Sequence, residues 1–572
     1  MPFKSLFPDV TIPDVDLLSY LFPSEAQVSS EPIWIDASDP LKHLSPRELL
    51  LWVKRFASSL QGLGMVVGDV CMILTPNHIF VPVVFLGCVA GGFIFSGSNP
   101  IYNADGKLTR KIFEVRRLTN CLETAYQLQN TGAKVLLVHP SLLRTAIAAA
   151  SKVGFPQEKI FQLSGDYNLP IYGIKDWRSL IPEASDLWRW QKLTGQEAMS
   201  RIATINYSSG TTGLPKGVCI SHRNLIANVE QHIIMRGNSL PRDPGTSLPV
   251  ERWVGFLPLY HAFGQMYAVL LACKLSAPIY IMTNFQYEPF LQIIETHRIT
   301  HLQIVPPIMI MLAQRPETSR YDLSSLKDII CGAAPLGRLL QNEISLKLGV
   351  TIKQGWGMTE VTCGAMHVPE GVSDNTGSVG MLDPCCECKL INDCGDEVGC
   401  NTPGEIYIRG PNVCVGYWRN EKETKSTIDS DGWLKTGDIA VVNDKGWFHI
   451  VDRKKELIKV NGFQVAPAEL EAVLMEHEEI ADAAVVGILS DDVEKPAAYV
   501  VLKPSPKSQQ TETSIASWMA SRGAKHKRLT GGVFFVNQIP RAASGKILRK
   551  VVKEWAKTET SAKAHNCLRS HL

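Results

Sequence analysis

Between residues 202 and 217 the chain passes from a short β-prone run, Ile202 to Tyr207, straight into a polar loop. The loop reads Ser208-Ser209-Gly210-Thr211-Thr212-Gly213-Leu214-Pro215-Lys216-Gly217. Just beyond it, Ser221 is a natural N-cap for a helix whose Leu225, Ile226, Val229 and Ile233 share one face. A second loop repeats the arrangement. Leu336, Leu339, Leu340 and Ile344 mark a helix that stops at Gly349, and Val350 to Lys353 reads as a strand. Gln354-Gly355-Trp356-Gly357-Met358-Thr359-Glu360 follows at once. Open α/β sheets bind ligands in loops immediately behind their strands. The alternation of strand-like and amphipathic segments, which holds to about residue 350, therefore implies a large layered α/β core.

The first loop places four hydroxyls, three glycines and a lysine within ten residues. Glycines let backbone N–H groups approach an anion, hydroxyls add hydrogen bonds, and the ammonium supplies a point charge. That is phosphate-binding chemistry, but not a Walker A loop. Counting from Gly210, Pro215 stands where a glycine is due and Gly217 where Ser or Thr is due.

With 572 residues, the chain requires more than one domain. Its style changes near Asp452. The charged stretch Asp452 to Glu456 leads into a helix at Pro467 to His477, then strands at Ala483 to Leu489 and Ala497 to Leu502. A helix near Ile515, a strand at Val533 to Val536 and a last helix complete the unit. That last helix carries Ile547, Leu548, Val551, Val552 and Trp555 on one side. The expected architecture is a large α/β domain at 1–452, a small mobile α+β domain at 453–560 and a tail at 561–572.

Net charge is +2, so no global field points to nucleic acid. The first ten residues lack the apolar core of a secretory signal. The longest apolar run, Phe80 to Phe95, is broken by Pro82, Gly87, Gly91 and Gly92 and reads as a buried helix leading into a core strand, not a membrane span. Cys385, Cys386, Cys388, Cys394 and Cys400 cluster without a CxxC pair or an interleaved His, which fits inert thiols better than zinc ligands.

The Ser208 to Gly217 loop resembles the signature of the adenylate-forming superfamily of acyl-CoA synthetases, peptide-synthetase adenylation domains and beetle luciferases. Further stretches agree in order: Gln354 to Glu360, Gly404 to Gly410, Gly432 to Asp438, Asp452 to Pro467, and Pro540 to Lys546. Glu456-Leu457-Ile458-Lys459 and Gly462-Phe463-Gln464-Val465-Ala466-Pro467 resemble the 4-coumarate–CoA ligases and their fungal relatives. The resemblance implies an enzyme that uses ATP to turn a carboxylic acid into an acyl-AMP and then passes the acyl group to coenzyme A. ATP, Mg²⁺ and CoA are co-substrates, and no tightly bound cofactor is expected.

By the same resemblance, Lys546 is the lysine of adenylation. A carboxylate must approach an anionic α-phosphate, and an ammonium bridging the two lowers that barrier. Ser208, Ser209, Gly210, Thr211, Thr212 and Lys216 cradle the phosphates. Gln354, Gly355 and Trp356 flank the adenine and acyl pocket, and Thr359 touches the α-phosphate. Asp438 and Arg453 hold the ribose, while Thr211 and Glu360 contact Mg²⁺. Lys455 lies at the hinge of the small domain, and Lys459 contacts the nucleotide after that domain has turned. His261 gates the acyl pocket, with Phe263, Tyr267, Ala333 and Gln464 around it. Asn461 and Gly462 face CoA, and Asn461 departs from plant relatives, which carry a lysine there. Phe263 and Tyr267 stand where plant coumarate ligases tend to have Tyr and Ser. The absence of a phenol donor at 263 implies an aryl, phenylalkanoic or medium-chain fatty acid. A luciferase-like enzyme is the alternative. A peptide-synthetase module would need a carrier domain behind Lys546 and is not expected. Ser570-His571-Leu572 resembles the tripeptide read by the peroxisomal import receptor, which makes that receptor the expected protein partner and the peroxisome the expected address.

Overall fold

The computed structural model describes residues 1–100, 110–182, 187–208, 214–237, 251–460, 463–490, 493–503, 511–542 and 545–557. The apolar run at 80–95 becomes the helix Val81–Ala90 and the strand Ile94–Ser98, and every residue of both is buried. Burial on both faces is what parallel strands covered by helices require. Ile94–Ser98 pairs in parallel with Val70–Leu74 on one side and Ile202–Ser208 on the other. They belong to a seven-stranded sheet that Val135–Val138 and Ile160–Gln162 extend.

The expected helix after the first loop is present as His222–Met235, capped by Ser221 in a capping box with Asn224. One element went unforeseen. The chain returns first as the strand Lys216–Ser221, antiparallel to Ile202–Ser208, with Ser208 opposite Lys216. Ile202–Ser208 and Lys216–Ser221 thus pair with each other before the helix begins. Val218, Cys219 and Ile220 are too few to register as a strand by alternation.

A nine-stranded sheet carries the second loop. Its parallel core runs Thr351–Trp356, Asp328–Cys331, His301–Ile304, Trp253–Gly255, Ile279–Ile281 and Trp34–Asp36. The helix Arg338–Leu348 ends at Gly349 with φ +65°, as expected. Its buried residues are Gln341 and Ile344, whereas Leu339 is 50% exposed. A polar side chain takes the inward position because it binds Gln354 below.

A six-stranded antiparallel sheet follows, built on Glu387–Ile391, Gly404–Arg409, Leu434–Val442 and Phe448–Arg453, with Phe3–Lys4 at its edge. Arg453, the first residue of the expected small domain, is the last of this sheet. Cys386 and Cys388 are buried within it, and burial raises both thiols. Cys394 and Cys400 are exposed. Among the described residues none of the clustered cysteines joins a group able to hold a metal.

Beyond residue 453 lie the hairpin Ile458–Val460/Phe463–Val465 and a three-stranded sheet of Ile480–Ser490, Val493–Leu502 and Gly532–Phe535. This region has cores of its own on the two faces of that sheet. One contains Leu470, Val485, Val500 and Ile515, the other Val486, Tyr499, Ile539 and Val552. The final helix spans 549–557, so Ile547 and Leu548 precede it. Val552 is buried, but Leu548 and Val551 are about two-fifths exposed and line the large cavity described below. The tail from 558 onward lies outside the described residues. No described helix is long and apolar enough to cross a membrane.

Two capping boxes separate local from long-range stabilisation. Ser45 and Glu48 cap the helix Pro46–Gly62 by themselves. Asn224 caps its helix and also donates to Pro411 O and Val413 O, both at 2.8 Å, tying the first sheet to a distant loop. Ser45→Ala should therefore lower stability by about 1 kcal/mol. Asn224→Ala strands two part-buried carbonyls as well as losing the cap and should cost about 2–3 kcal/mol. Equal shifts in the denaturant midpoint would refute the tying role.

Candidate active site

The ends of all three large sheets and the small domain enclose a cavity of about 1800 Å³. Gly97, Gly332, Lys435 and Lys546 bring one residue each from these four parts. A space of this size exceeds an ordinary single-ligand pocket. It can take a nucleotide and a second molecule end to end.

Lys546 reaches the cavity on a short turn. Gly545 N donates to Ala542 O and Ala542 N to Lys546 O, each at 2.8 Å. Arg541 holds the turn by donating Nη1 to Gly545 O at 2.9 Å and Nη2 to Asp482 Oδ1 at 2.7 Å. Gly545 has φ +80°, and a side chain there would press on Val305 and Pro307 of the large domain. Glycine is required twice over, for conformation and for approach. Burial lowers the pKa of Lys546. Arg453 lowers it further, and Asp438, Glu360 and Glu456 oppose the shift.

Asp438 sits on the strand Leu434–Val442 directly opposite Arg453 on its neighbour. Trp356 Nε1 donates to Asp438 Oδ2 at 2.9 Å. Arg453 Nε stands 3.2 Å from Oδ1, yet it is not aligned as a donor, and Oδ1 is buried without a hydrogen-bond partner. Buried polar atoms are rarely left unpaired, so this oxygen lacks a partner that the described residues do not supply.

Glu360 lies at the far end of the second loop, just before Thr362 at φ +70°. Its Oε1 accepts from Ser208 Oγ and from Tyr417 OH, both at 3.0 Å. The two loops read from sequence thus meet at one carboxylate. Oε2 has no donor among the described residues, so this buried carboxylate fits a hard cation such as Mg²⁺. Lys216 pairs with Glu423 and lies 5.3 Å above the Tyr417 ring. Neither Tyr417 nor Glu423 carries a recognisable sequence signal.

At the opposite end, His261 precedes a helix that includes a π-helical stretch at Gln265–Leu271. Its N–H donates to Pro258 O, and a side chain at Gly264 would fall 2.2 Å from that same oxygen. Buried Asn77 brackets the turn through Leu257 O and Leu259 N, both at 3.0 Å, a contact no local pattern announces. His261, Phe263, Tyr267 and Ala333 all line the cavity, and Ala333 takes φ +70°. The Phe263 and Tyr267 rings meet edge to face at 5.2 Å. Burial, with Lys546 adding to it, pushes the pKa of His261 down to about 4.

Gly355, Trp356, Thr359, Arg453 and Lys455 also line this cavity. Four expected residues do not: Asp438, whose neighbours Gly437 and Arg453 line it instead, and Gln354, Lys459 and Gln464. Gln354 is turned away, donating to Leu336 O and Gln341 Oε1, so it braces the helix Arg338–Leu348 instead of meeting a ligand. Lys459 is exposed on its hairpin, where its N–H donates to Glu494. Gln464 donates to Asp393 Oδ2 at 2.7 Å. Both lie off the cavity because the small domain presents its Lys546 turn there. Ser209, Gly210, Thr211, Thr212, Asn461 and Gly462 fall outside the described residues.

The family model described as "AMP-binding enzyme" matches residues 24–418, and "AMP-binding enzyme C-terminal domain" matches 469–546. The acyl-CoA synthetase ACTT5 of Alternaria alternata is 37% identical, covering 95% of this chain and 91% of that protein. The phenylacetyl-CoA ligase epaB of Aspergillus niger is 36% identical, covering 95% and 97%. Probable 4-coumarate–CoA ligase 3 of Dictyostelium discoideum is 34% identical, covering 97% of each. Among solved structures, ATP-bound MatB from Rhodopseudomonas palustris superposes with a TM-score of 0.80 at 25% identity, over 95% of this chain and 99% of that one. The anthranilate CoA ligase AuaEII, solved with anthranoyl-AMP, gives 0.82 at 23% identity over 96% and 99%, a likeness of fold.

The two shifted groups define a pH profile. His261 has a folded pKa near 4 against an ordinary 6.5. The unfolded chain therefore binds more protons between those values, and stability rises with pH from 4 to 6.5. At pH 7 the ring is neutral, and the activity profile should show no His261 step near 6.5. The Lys546 ammonium should be lost below the ordinary lysine value of 10.5, giving an early alkaline limb that Lys546→Arg moves upward. An acid limb near 6.5 that disappears in His261→Asn would contradict this.

Proposed function

The chain belongs to the AMP-binding enzyme family, and from that premise we propose how its cavity carries out acid–CoA ligation. In the first step a substrate carboxylate oxygen attacks the α-phosphorus of ATP, forming the P–O bond of an acyl-AMP as pyrophosphate leaves. In the second, the CoA thiol sulfur attacks the acyl carbonyl, its proton goes to solvent, and AMP departs. The observation that carries the reading is the convergence of Lys546 and Glu360 on one cavity that His261 and Phe263 also line, with the unpartnered Asp438 Oδ1 beside its wall residues Gly437 and Arg453.

Lys546 answers the repulsion between carboxylate and phosphate by placing an ammonium where both anions converge, in a site whose low dielectric strengthens the attraction. Asp438 accepts ribose hydroxyls, and Trp356 and Arg453 hold it in place. Glu360 and Thr211 would hold Mg²⁺, which when bound neutralises charge on the ATP phosphates. Neutral His261 stands at the neck between nucleotide and acyl chamber without adding charge. Lys455 lies where the small domain joins the large one, and a turn there would withdraw Lys546 and open a path for the thiol. Lys459, Gln464, Asn461 and Gly462 would then face the site.

The chamber walls, among them Phe256, Leu257, Phe263 and Ile330, favour an aryl, phenylalkanoic or medium-chain aliphatic acid. The name of the phenylacetyl-CoA ligase epaB fits the phenylalkanoic member of that class, and a place in fungal secondary metabolism is part of the proposal. Ser570-His571-Leu572 supports a peroxisomal address read by the import receptor.

Lys546→Ala should lower ATP–pyrophosphate exchange by about 10²–10³-fold. It should leave thioester formation from a supplied acyl-adenylate within a few-fold of wild type, and equal losses in both steps would overturn the two-stage role. Removing residues 570–572 from a fluorescently tagged protein should disperse it from peroxisomes, and an unchanged punctate pattern would reject that address.

A further inference from the structure

Past Tyr267, the wall of the acyl chamber changes character. The Tyr267 ring packs edge-on against His232 at 5.4 Å, and His232 lies 4.4 Å from the ring of His367. Asp383, fully buried, accepts from His367 Nδ1 at 2.8 and 3.0 Å through its two oxygens. His232 Nδ1 meets Asn228 O at 2.7 Å. A carboxylate and a carbonyl can only accept, so both Nδ1 atoms carry hydrogen. In the neutral imidazole this leaves Nε2 as a lone-pair acceptor.

The two Nε2 atoms differ in access. His232 Nε2 is buried without a partner. The His367 side chain keeps 12% of its surface exposed and lines the chamber. Two glycines come close to its outer edge without a side chain to block it. A side chain at Gly364 would sit 2.6 Å from His367 Nε2, and one at Gly355 would press on Cδ2 at 3.1 Å. Behind the pair lies a second cavity of about 20 Å³, room for one water. Three side chains that line it, His232, Arg236 and Asp328, each carry a buried atom without a partner.

His232, His367 and Asp383 are close enough to be weighed as a metal site. The carboxylate is already taken by His367 Nδ1, however, which leaves two ring nitrogens instead of three ligands. A hydrogen-bond donor answers the geometry better. A carboxylate on the ligand would face a lone pair. An ammonium would find no free counter-charge among the apolar walls. A hydroxyl satisfies the acceptor without adding charge.

We propose that His367, aimed by Asp383 and backed by His232, is a specificity-determining residue that selects acids bearing a hydroxyl at the end remote from the carboxylate. The inference rests on reading this chamber as the acyl pocket. It refines the expectation drawn from Phe263: the phenylalanine ring offers no hydrogen-bonding atom, and a residue distant in sequence supplies one. His367 touches the acid, and Asp383 and His232 are positioning residues.

The test compares matched acids, decanoic with its omega-hydroxy derivative and phenylpropanoic with its para-hydroxy derivative, by acyl-CoA formation and by calorimetric binding of each acid. Wild type should favour the hydroxylated member of at least one pair by about 10-fold or more in kcat/KM, through KM, since a site built around a buried acceptor rejects an analogue lacking the donor. His367→Leu should erase the preference, bringing the ratio of kcat/KM values within each pair to about 1 whatever the absolute rate, with circular dichroism and the thermal midpoint reporting the fold. His367→Gln, with an amide oxygen acceptor, should restore part of it, and Asp383→Asn should weaken it. Equal use of both members by wild type, or a preference that survives His367→Leu, overturns the inference alone. No turnover of any acid overturns the ligase reading and takes the inference with it.

Discussion

One half-buried ammonium organises this molecule. Lys546 is drawn into the protein where two units meet, and Asp438, Glu360 and Glu456 favour its charge there. Burial and Arg453 work against the ammonium, and the three carboxylates oppose that shift. The pieces that place Lys546 are correspondingly strict. Arg541 and Asp482 pin its turn, and Gly545 has neither the conformation nor the space for a side chain.

The supporting carboxylates are held by unequal means. Glu360 has one oxygen saturated by Ser208 and Tyr417, and Asp438 has one oxygen held by Trp356. In each case one oxygen is anchored and the other has no hydrogen-bond donor among the described residues. Anchoring fixes orientation before the ligand arrives, so less ordering remains to be done on binding. The part of the cavity around His261 follows a different logic. Its walls are apolar and its neck is a histidine kept neutral by burial, so selectivity must come from shape and from the few polar atoms at the far wall.

Much of the architecture could be read directly from residue patterns. The helix N-cap at Ser221, the stop at Gly349 and the buried helix–strand pair at 80–95 follow from capping, left-handed glycine and burial on both faces. Errors arose where a local pattern had two solutions. Val218, Cys219 and Ile220 form a return strand too short for alternation to show. Leu548 and Val551 fit a helix face by spacing, yet they line a cavity. Gln354 stands in a ligand-binding motif but is drawn to Gln341, because a buried amide must find partners and the helix supplied them first.

The sequence by itself determined the chemistry available to this protein. The glycines and hydroxyls of the loop, the lysine of the last turn and the acids of the middle motifs are residue types whose roles follow from short-range order. Tertiary structure alone decided which of them meet. Ser208 and Glu360 are 152 residues apart, Trp356 and Asp438 82, and Asn77 and Leu257 180. Spacing along a chain encodes the period of a helix or strand, whereas a contact across such distances depends on how finished elements pack. The unpartnered oxygen of Asp438 and the edge of His367 beside the two glycines exist only in that packed state.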